Sequence, residues 1–435
     1  MGLDMTMNRL PAPTWNWLHV NEASLAGAYA PDEGHMEAET PETIQYHVVK
    51  TGCIALNDGT SVNDSSSNVD AEKAADAAAG LNPASMAAKL AQIPGGVGSD
   101  MEELKKQGNF DLHLWTIARG VKESEPVRLH FRYENGGAAQ NAIGVYAQED
   151  SEITVVMDFR GIDDAKSVSK TMEGGFAGQL TENVKSEAGA AKQKDGCENN
   201  AFVQTEETAG TDEAAEGLAA IQTKIFAEKG AKVTLVQIQN LEDGFTFIND
   251  VGASCAEGAK MESIQIVLGG GDTYMGLRTN LGARSAALES KIGYLLDHHQ
   301  KLDVNYLAYQ TGAKTTSRMD VSGVLRGASQ KLFRGTIDFR KGSEGAKGDE
   351  KEDVLLFSDD VVNRTVPLIL CEEEDVEGNH GATIGRLDES LLFYLSSRGI
   401  DEKEIYEMMA RARIDAICSG ISDEKTHQMV QEFLA

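Results

Sequence analysis

GAKVTLVQIQNLEDGFTFINDVGASCAEGAKMESIQIVL, residues 230–268, is the stretch whose reading decides the fold. Gly230-Ala231 leads into the run KVTLVQIQ, and Gly258-Ala259 leads into KMESIQIVL. Val233, Leu235 and Ile238 set against Thr234 and Gln237 give roughly the period of two expected of a strand with one buried face. The same opening returns at Gly282-Ala283 before RSAALESKIGYL, at Gly312-Ala313 before KTTSRMDVSGVL and at Gly327-Ala328 before SQKLFRGTIDF, with starts 28, 24, 30 and 15 residues apart. A corner that admits only a small residue, followed by a strand laid on the one below, is what each coil of a β-helix needs. A β-sandwich would instead want hairpin turns between neighbouring strands. Asp243-Gly244 and Asp58-Gly59 are such turns, so the rival stays open, but the repeat favours a mainly β chain built on a parallel β-helix.

Outward from this core the pattern changes. Alternation begins near Asp111, with Val127–Phe131 and Ile153–Met157 as strands, and the expected β-helix runs over residues 111–385. Within it, residues 161–215 are polar, Gly- and Ala-rich, and read as an exposed insertion. After Phe339, RKGSEGAKGDEKED reads as a loop ahead of the last apolar runs, Val354–Phe357 and Val366–Leu370. Residues 1–110 are weakly patterned and partly helical. NDGTSVNDSSSNVDAEKAADAAAG (57–80) resembles a linker, PASMAAKLAQI forms a helix after Asn82 stopped at Gly95-Gly96, and MEELKKQ forms another. Residues 386–435 are helical. Asp388–Ser397 is amphipathic, Asp401 and Glu404 form a capping box, and Ile405, Met408, Met409, Ala412 and Ala416 follow at helical spacing.

The chain has 435 residues, with 69 acids against 40 bases and a formal charge of −29. Such a surface repels nucleic acid and anionic membranes, which excludes both as partners. No apolar run is long enough to span a bilayer, and MGLDMTMNRLPAPTWNW has no apolar signal core, so a cytoplasmic protein is expected. Cysteines 53, 197, 255, 371 and 418 are scattered, with no CxxC pair, as suits a reducing compartment. GxxxxGK[ST], GxSxG and HExxH are absent, so no P-loop ATP site and no common hydrolase motif is expected. Asp297-His298-His299 cannot aim both rings at one ion from a strand, because adjacent side chains point to opposite faces. CEEEDVEGNH, residues 371–380, gathers Cys371, three glutamates and His380, the residue types that hold iron or zinc.

The run that follows, EGNHGATIGRLDESLLFYLSSRGI, resembles the SufB/SufD family of iron–sulfur cluster assembly scaffolds, its SufD branch in particular, as do LVQIQN, DVGAS, IGYL, GVLRG and KLFRGTIDF. The resemblance covers roughly Asp111 to the C-terminus. It implies a right-handed β-helix between helical ends and a non-catalytic subunit working with a SufB-like scaffold and an ABC-type ATPase, SufC, which supplies the ATP site. It implies a transient iron–sulfur cluster shared between scaffolds, with His380 of the His-Gly-Ala-Thr turn at their interface as an iron or cluster ligand. Cys371 is a weaker candidate. It also implies an ATPase-docking surface on the C-terminal helices, for which Leu391, Phe393, Tyr394, Arg398, Ile405 and Met408 are the candidates; the same helices read equally as a cap over the last coil. SufB-type members have His-Glu-Ala-Thr and a cysteine about 30 residues upstream. Here Gly381 replaces the glutamate, 350–357 holds no cysteine, and Gly378 stands where SufD-type chains can carry one. In isolation such a chain could pair with itself. The rivals are a stand-alone β-helix carbohydrate-active enzyme and a purely structural partner that ligates no cluster.

Overall fold

The computed structural model describes residues 2–14, 16–31, 34–50, 82–108, 111–134, 136–162 and 217–434. Ahead of the core come β1 (Gly2–Met7), β2 (Ala23–Ala28), β3 (Ala30–Pro31), β4 (His35–Glu39), β5 (Ile44–Val49) and the helices α1 (Pro83–Ala91) and α2 (Ser99–Gly108). The core strands are β6 (Leu112–Ile117), β7 (Val127–Tyr133), β8 (Gly137–Ala147), β9 (Glu152–Gly161), β10 (Gly217–Ala227), β11 (Lys232–Gln239), β12 (Phe245–Cys255) and β13 (Lys260–Val267). They continue as β14 (Asp272–Leu281), β15 (Ala287–Leu296), β16 (Lys301–Gln310), β17 (Thr316–Leu325), β18 (Gln330–Phe339), β19 (Ala346–Leu356), β20 (Val362–Cys371) and β21 (Val376–Gly385). From β6 onward, even strands stack in parallel in one sheet and odd strands in a second. The pairs β6/β7 to β20/β21 are the coils of a parallel solenoid, and the apolar side chains of both sheets meet in its lumen.

Coil follows coil in steps of about 30 residues, as in Gln330↔Val362 and Lys301↔Gln330. The pairing Leu218↔Ala138 is one exception, a step of 80 residues that takes in the whole of the expected 161–215 insertion. Residues 163–215 of that insertion, like the 57–80 linker, lie outside the described residues, and Gly161 ends β9.

The repeat has a backbone cause, and it corrects the sequence reading. At the first seven of the eight passages from an even to an odd strand a left-handed residue makes the corner: Gly120, Asp150, Gly230, Gly258, Ser285, Lys314 and Gly345. Each of the first six donates its N–H to the carbonyl of the residue just before its counterpart in the next coil, from Gly120→Glu149 and Asp150→Lys229 to Lys314→Glu344, and Gly345 donates to Asp375 of the last coil. The residue after it is small and buried at six of these seven corners: Ser151, Ala231, Ala259, Ala286, Thr315 and Ala346. Gly230 has a second reason to be glycine, since a Cβ there would fall 2.3 Å from Asp150 Oδ1. So Gly230-Ala231 and Gly258-Ala259 are true corners. Gly282-Ala283 and Gly312-Ala313 lie two or three residues early, the corner pairs being Ser285-Ala286 and Lys314-Thr315. Gly327-Ala328 belongs to the opposite corner, stacked on His298, where Asp297-His298-His299 makes the turn.

The N-terminal region holds strands as well as the two short helices. It is latched to the outer face of the even sheet. Asn8 Nδ2 donates to the Asp303 carbonyl at 3.1 Å, Arg334 pairs with Asp303 and donates to the Val20 carbonyl, and Val97 N donates to Asp250 Oδ1 at 2.9 Å. Gly96 and Gly276 allow backbone to lie on backbone, since a Cβ on Gly96 would meet Leu277 N at 2.2 Å. At the C-terminus, α3 (Glu389–Ser397), α4 (Glu402–Cys418) and α5 (Glu424–Phe433) follow the last coil. Ile414, Ile417, Val430 and Leu434 of α4 and its sequel pack on Val236, Ile238, Ile264 and Ile266 of the odd sheet. The helices therefore lie along the side of the solenoid. The expectation of a bundle over the last coil fails, because α4 finds its apolar surface across β13, β15 and β17.

The two ends of the solenoid differ. At the first end β4 and β5 run antiparallel to β7 and β6, which stops parallel stacking. Their connection crosses the lumen mouth, where Thr40 Oγ1 accepts from the indole N–H of fully buried Trp115 at 3.0 Å, and Ile44 joins the core. On the outer face beside it, His130 of β7 pairs with Asp158 directly across in β9. Arg132 at 2.8 Å and Arg160 at 3.2 Å complete the set around the buried carboxylate. At the last end β21 is exposed along almost its whole length, and Ile369 and Ile384 stand 42% and 45% exposed.

Candidate functional site

The segment read as a loop, GDEKED within 348–353, is the middle of β19, and the expected His-Gly-Ala-Thr turn is the middle of β21. Charge on both faces of β19 and glycine in β21 conceal the alternation from a hydrophobicity reading. Strand geometry then sets every side chain's direction. On β19, Ala346, Gly348, Glu350, Glu352 and Val354 are buried, whereas Lys347 and Lys351 are exposed. In-register parallel partners share a face, so Val376, Gly378, His380, Ala382 and Ile384 of β21 form the inward row above them. His380 lies directly over Glu350, at the open mouth of the lumen.

Beneath it sits a buried charged column. Glu350 is 2% exposed, and Lys331 and Glu352 are fully buried. Lys331 and Glu352 form an ion pair. Lys331 Nζ also donates to Thr365 Oγ1 at 3.1 Å, and Thr365 Oγ1 donates to Glu352 Oε2 at 2.6 Å. Burial pushes Lys331 below its ordinary range, against the pull of Glu352. Glu350 has no such partner. Its Oε1 makes no hydrogen bond and lies 3.4 Å from His380 Nδ1. Burial first, and then the Glu352 carboxylate, push Glu350 up to about 8 despite Lys331 nearby. Its carboxyl fits only because residue 335 is glycine: a Cβ there would fall 2.1 Å from Glu350 Oε2. Deeper in the lumen a neutral amide cluster takes the place of charge. Gln237, Asn249 and Gln265 bond one another, with Asn249 Nδ2 donating to Gln265 Oε1 at 3.1 Å.

Cys371 does not join this set. Gly378 lies against Ile369, with a Cβ there falling 3.0 Å from Ile369 Cγ2, so Cys371 is about four strand residues from the position facing His380. That is on the order of 13 Å at the rise of a strand. The thiol donates to the Glu373 carbonyl at 3.0 Å. Glu372 pairs with Arg340 at 2.7 Å, and Glu373 accepts from the Gly342 amide at 3.0 Å, so these acids tie down the corner. Cys255 and Cys418 are buried, and burial pushes both up to about 12. Among the described residues no three His, Cys, Asp or Glu side chains converge on one point where an ion could sit. His380 and Glu350 are the imidazole–carboxylate pair at the open mouth.

Five of the six helix candidates lie on the surface. Phe393 is 76% exposed, Leu391, Tyr394 and Met408 are exposed, and the Arg398 guanidinium stacks 5.1 Å from the Tyr394 ring. α3 has no buried residue at all. Ile405 is the correction: it is fully buried and helps seat α4, so it cannot face a partner. No helix among the described residues is long and apolar enough to cross a membrane.

Comparison with known proteins places this architecture. The family described as SUF system FeS cluster assembly, SufBD core domain, matches residues 196–413. The chain is 26% identical over 185 residues to the iron-sulfur cluster assembly protein SufD of Bacillus subtilis, covering 42% of each chain. To SufB of the same organism it is 24% identical over 209 residues, covering 47% of this chain and 44% of that one. To a chloroplastic SufBD family protein of Arabidopsis thaliana it is 25% identical over 212 residues, covering 47% and 37%. The chain thus spans less than half the length of these relatives. A match over half of the chain, on a parallel two-sheet solenoid and with SufD slightly ahead of SufB in identity, establishes that the chain belongs to the SufBD family of iron–sulfur cluster assembly proteins, as a SufD-like member.

Proposed function

We propose that this chain is a scaffold subunit for iron–sulfur cluster assembly, with no catalytic step of its own, and that its uncapped last coil is the assembly surface. The observation that carries the reading is the open mouth between β20 and β21, where an exposed edge strand, two half-exposed isoleucines and His380 together line the uncovered end of the lumen. An edge strand left bare is a template for another chain. A SufB-like scaffold, presenting a matching coil end, closes the mouth and places His380 at the junction. The iron or nascent cluster is the cargo held there, shared between the scaffolds. Alone, the chain closes the same mouth with a second copy.

An ABC-type ATPase of the SufC kind docks on the C-terminal helices, for which the bare apolar face of α3 and the exposed Met408 offer the surface. ATP hydrolysis belongs to that partner and moves the scaffolds relative to each other. The compartment is reducing and aqueous, the cytoplasm in a bacterial cell. The test is co-expression with SufB-like and SufC-like partners, followed by measurement of iron and sulfide in the purified complex. His380→Ala is expected to leave the complex intact and to deplete its iron. Unchanged iron in an intact complex assigns His380 to packing alone and leaves a purely structural partner as the better reading.

A further inference from the structure

The lumen mouth carries an electrostatic imbalance that points to a ligand. Two carboxylates, Glu350 and Glu352, are buried there with one ammonium, Lys331, which is committed to Glu352 and Thr365. A buried carboxylate without a hydrogen bond is costly and needs a proton or a cation. Glu350 Oε1 is such an atom, and His380 Nδ1 is the group beside it. Their separation of 3.4 Å is longer than an aligned N–H···O bond. It matches the distance between two donors of one tetrahedral ion bound about 2.1 Å from each, which is about 3.4 Å.

We infer that Glu350 and His380 together form a two-donor half-site for a divalent transition metal such as ferrous iron, whose remaining ligands come from outside this chain. The inference rests on the reading of His380 as a ligand and adds to it a second protein donor on the neighbouring coil. Imidazole with carboxylate is a donor set suited to such an ion, and two donors leave room for others. Gly335 is part of the site by subtraction, because any side chain there displaces the carboxyl.

Anaerobic titration of the full-length protein with Co(II), read by visible absorption and by metal retained on equilibrium dialysis, tests this without reference to assembly activity. Glu350→Met removes both carboxylate oxygens and Glu350→Gln leaves only a neutral amide oxygen, each nearly keeping the volume, and either is expected to weaken Co(II) binding at least about tenfold. His380→Ala is expected to do the same. Asp349→Asn, one residue away on the opposite face of β19, is expected to leave binding unchanged. If His380→Ala loses the ion while both Glu350 variants keep it, the half-site is wrong and the role of His380 stands. Retention by all three overturns both. Equal loss in Asp349→Asn reduces the effect to general acidity and overturns the half-site.

Discussion

Each end of the solenoid sets a histidine directly across a parallel ladder from a carboxylate, and only one end finishes the pair. At the first end His130 meets Asp158 on the outer face, and Arg132 and Arg160 share the carboxylate. At the last end His380 stands over Glu350 on the lumen side, 3.4 Å away, with Oε1 unbonded. The first arrangement is a closed electrostatic account within one chain. The second leaves charge and coordination to be supplied from outside. The surroundings differ in the same sense: antiparallel strands and Trp115 seal the first mouth, whereas β21 is bare.

The largest expected effect falls on the column beneath the open mouth. Lys331→Met strands Glu352 in the lumen and is expected to cost about 3–5 kcal/mol in denaturant unfolding. A cost below about 1 kcal/mol would mean that water already reaches the column, erasing the contrast with the sealed end. Next comes His130→Ala, expected to cost about 1.5–3 kcal/mol where the pair is fully charged. The hydrogen bond to Asp158 raises His130 above its ordinary range, against burial. Burial pushes Asp158 up, but His130, Arg132 and Arg160 outweigh it and bring Asp158 below its ordinary range. The His130 contribution is therefore complete below about pH 6.5 and fades as pH rises through its raised pKa. The Asp158 contribution is complete above about pH 4 and fades in acid. Unfolding curves across pH 3–9 should show the wild-type advantage greatest between these limits, and a flat difference would unmake the pair.

Smaller effects on the fold are expected at the open end. Ile384→Lys should change stability by no more than about 0.5 kcal/mol, since the side chain is already half exposed, yet abolish association through β21 in light scattering. Association that survives the charge would move the interface elsewhere. His380→Ala should be the least disturbing, again within about 0.5 kcal/mol, because the ring completes no hydrogen bond. A cost as large as that of His130→Ala would make the two ends equivalent.

The solenoid was legible in the sequence because a corner needs a left-handed residue followed by a small one, and Gly230-Ala231 and Gly258-Ala259 display that need openly. Its register was less legible. Ser285 and Lys314 meet the same backbone demand without glycine, so the eye lands on Gly282 and Gly312 instead. His380 stood out as a metal-type residue, but its partner did not. Glu350 lies in a run of alternating acids and bases that resembles a solvated loop, and nothing in such a run marks which charges turn inward. Pairing in space identifies it, as does Gly335, fifteen residues upstream on the other sheet. Ile405 was misread for the converse reason: it shares an apolar stripe with Met408, and the stripe does not mark which of the two is buried and which stays exposed.

The column of left-handed corners has a bearing on how such a chain can change. Each rung joins one coil to the next by a single amide, and the column runs unbroken from Asp150 to Lys229 across the 80-residue step as it does across the ordinary ones. Stacking is thus indifferent to how much chain is spent between rungs. The junction after β9 is a natural grafting point, where length and content can vary freely while the mouth carrying His380, six coils away, keeps its geometry.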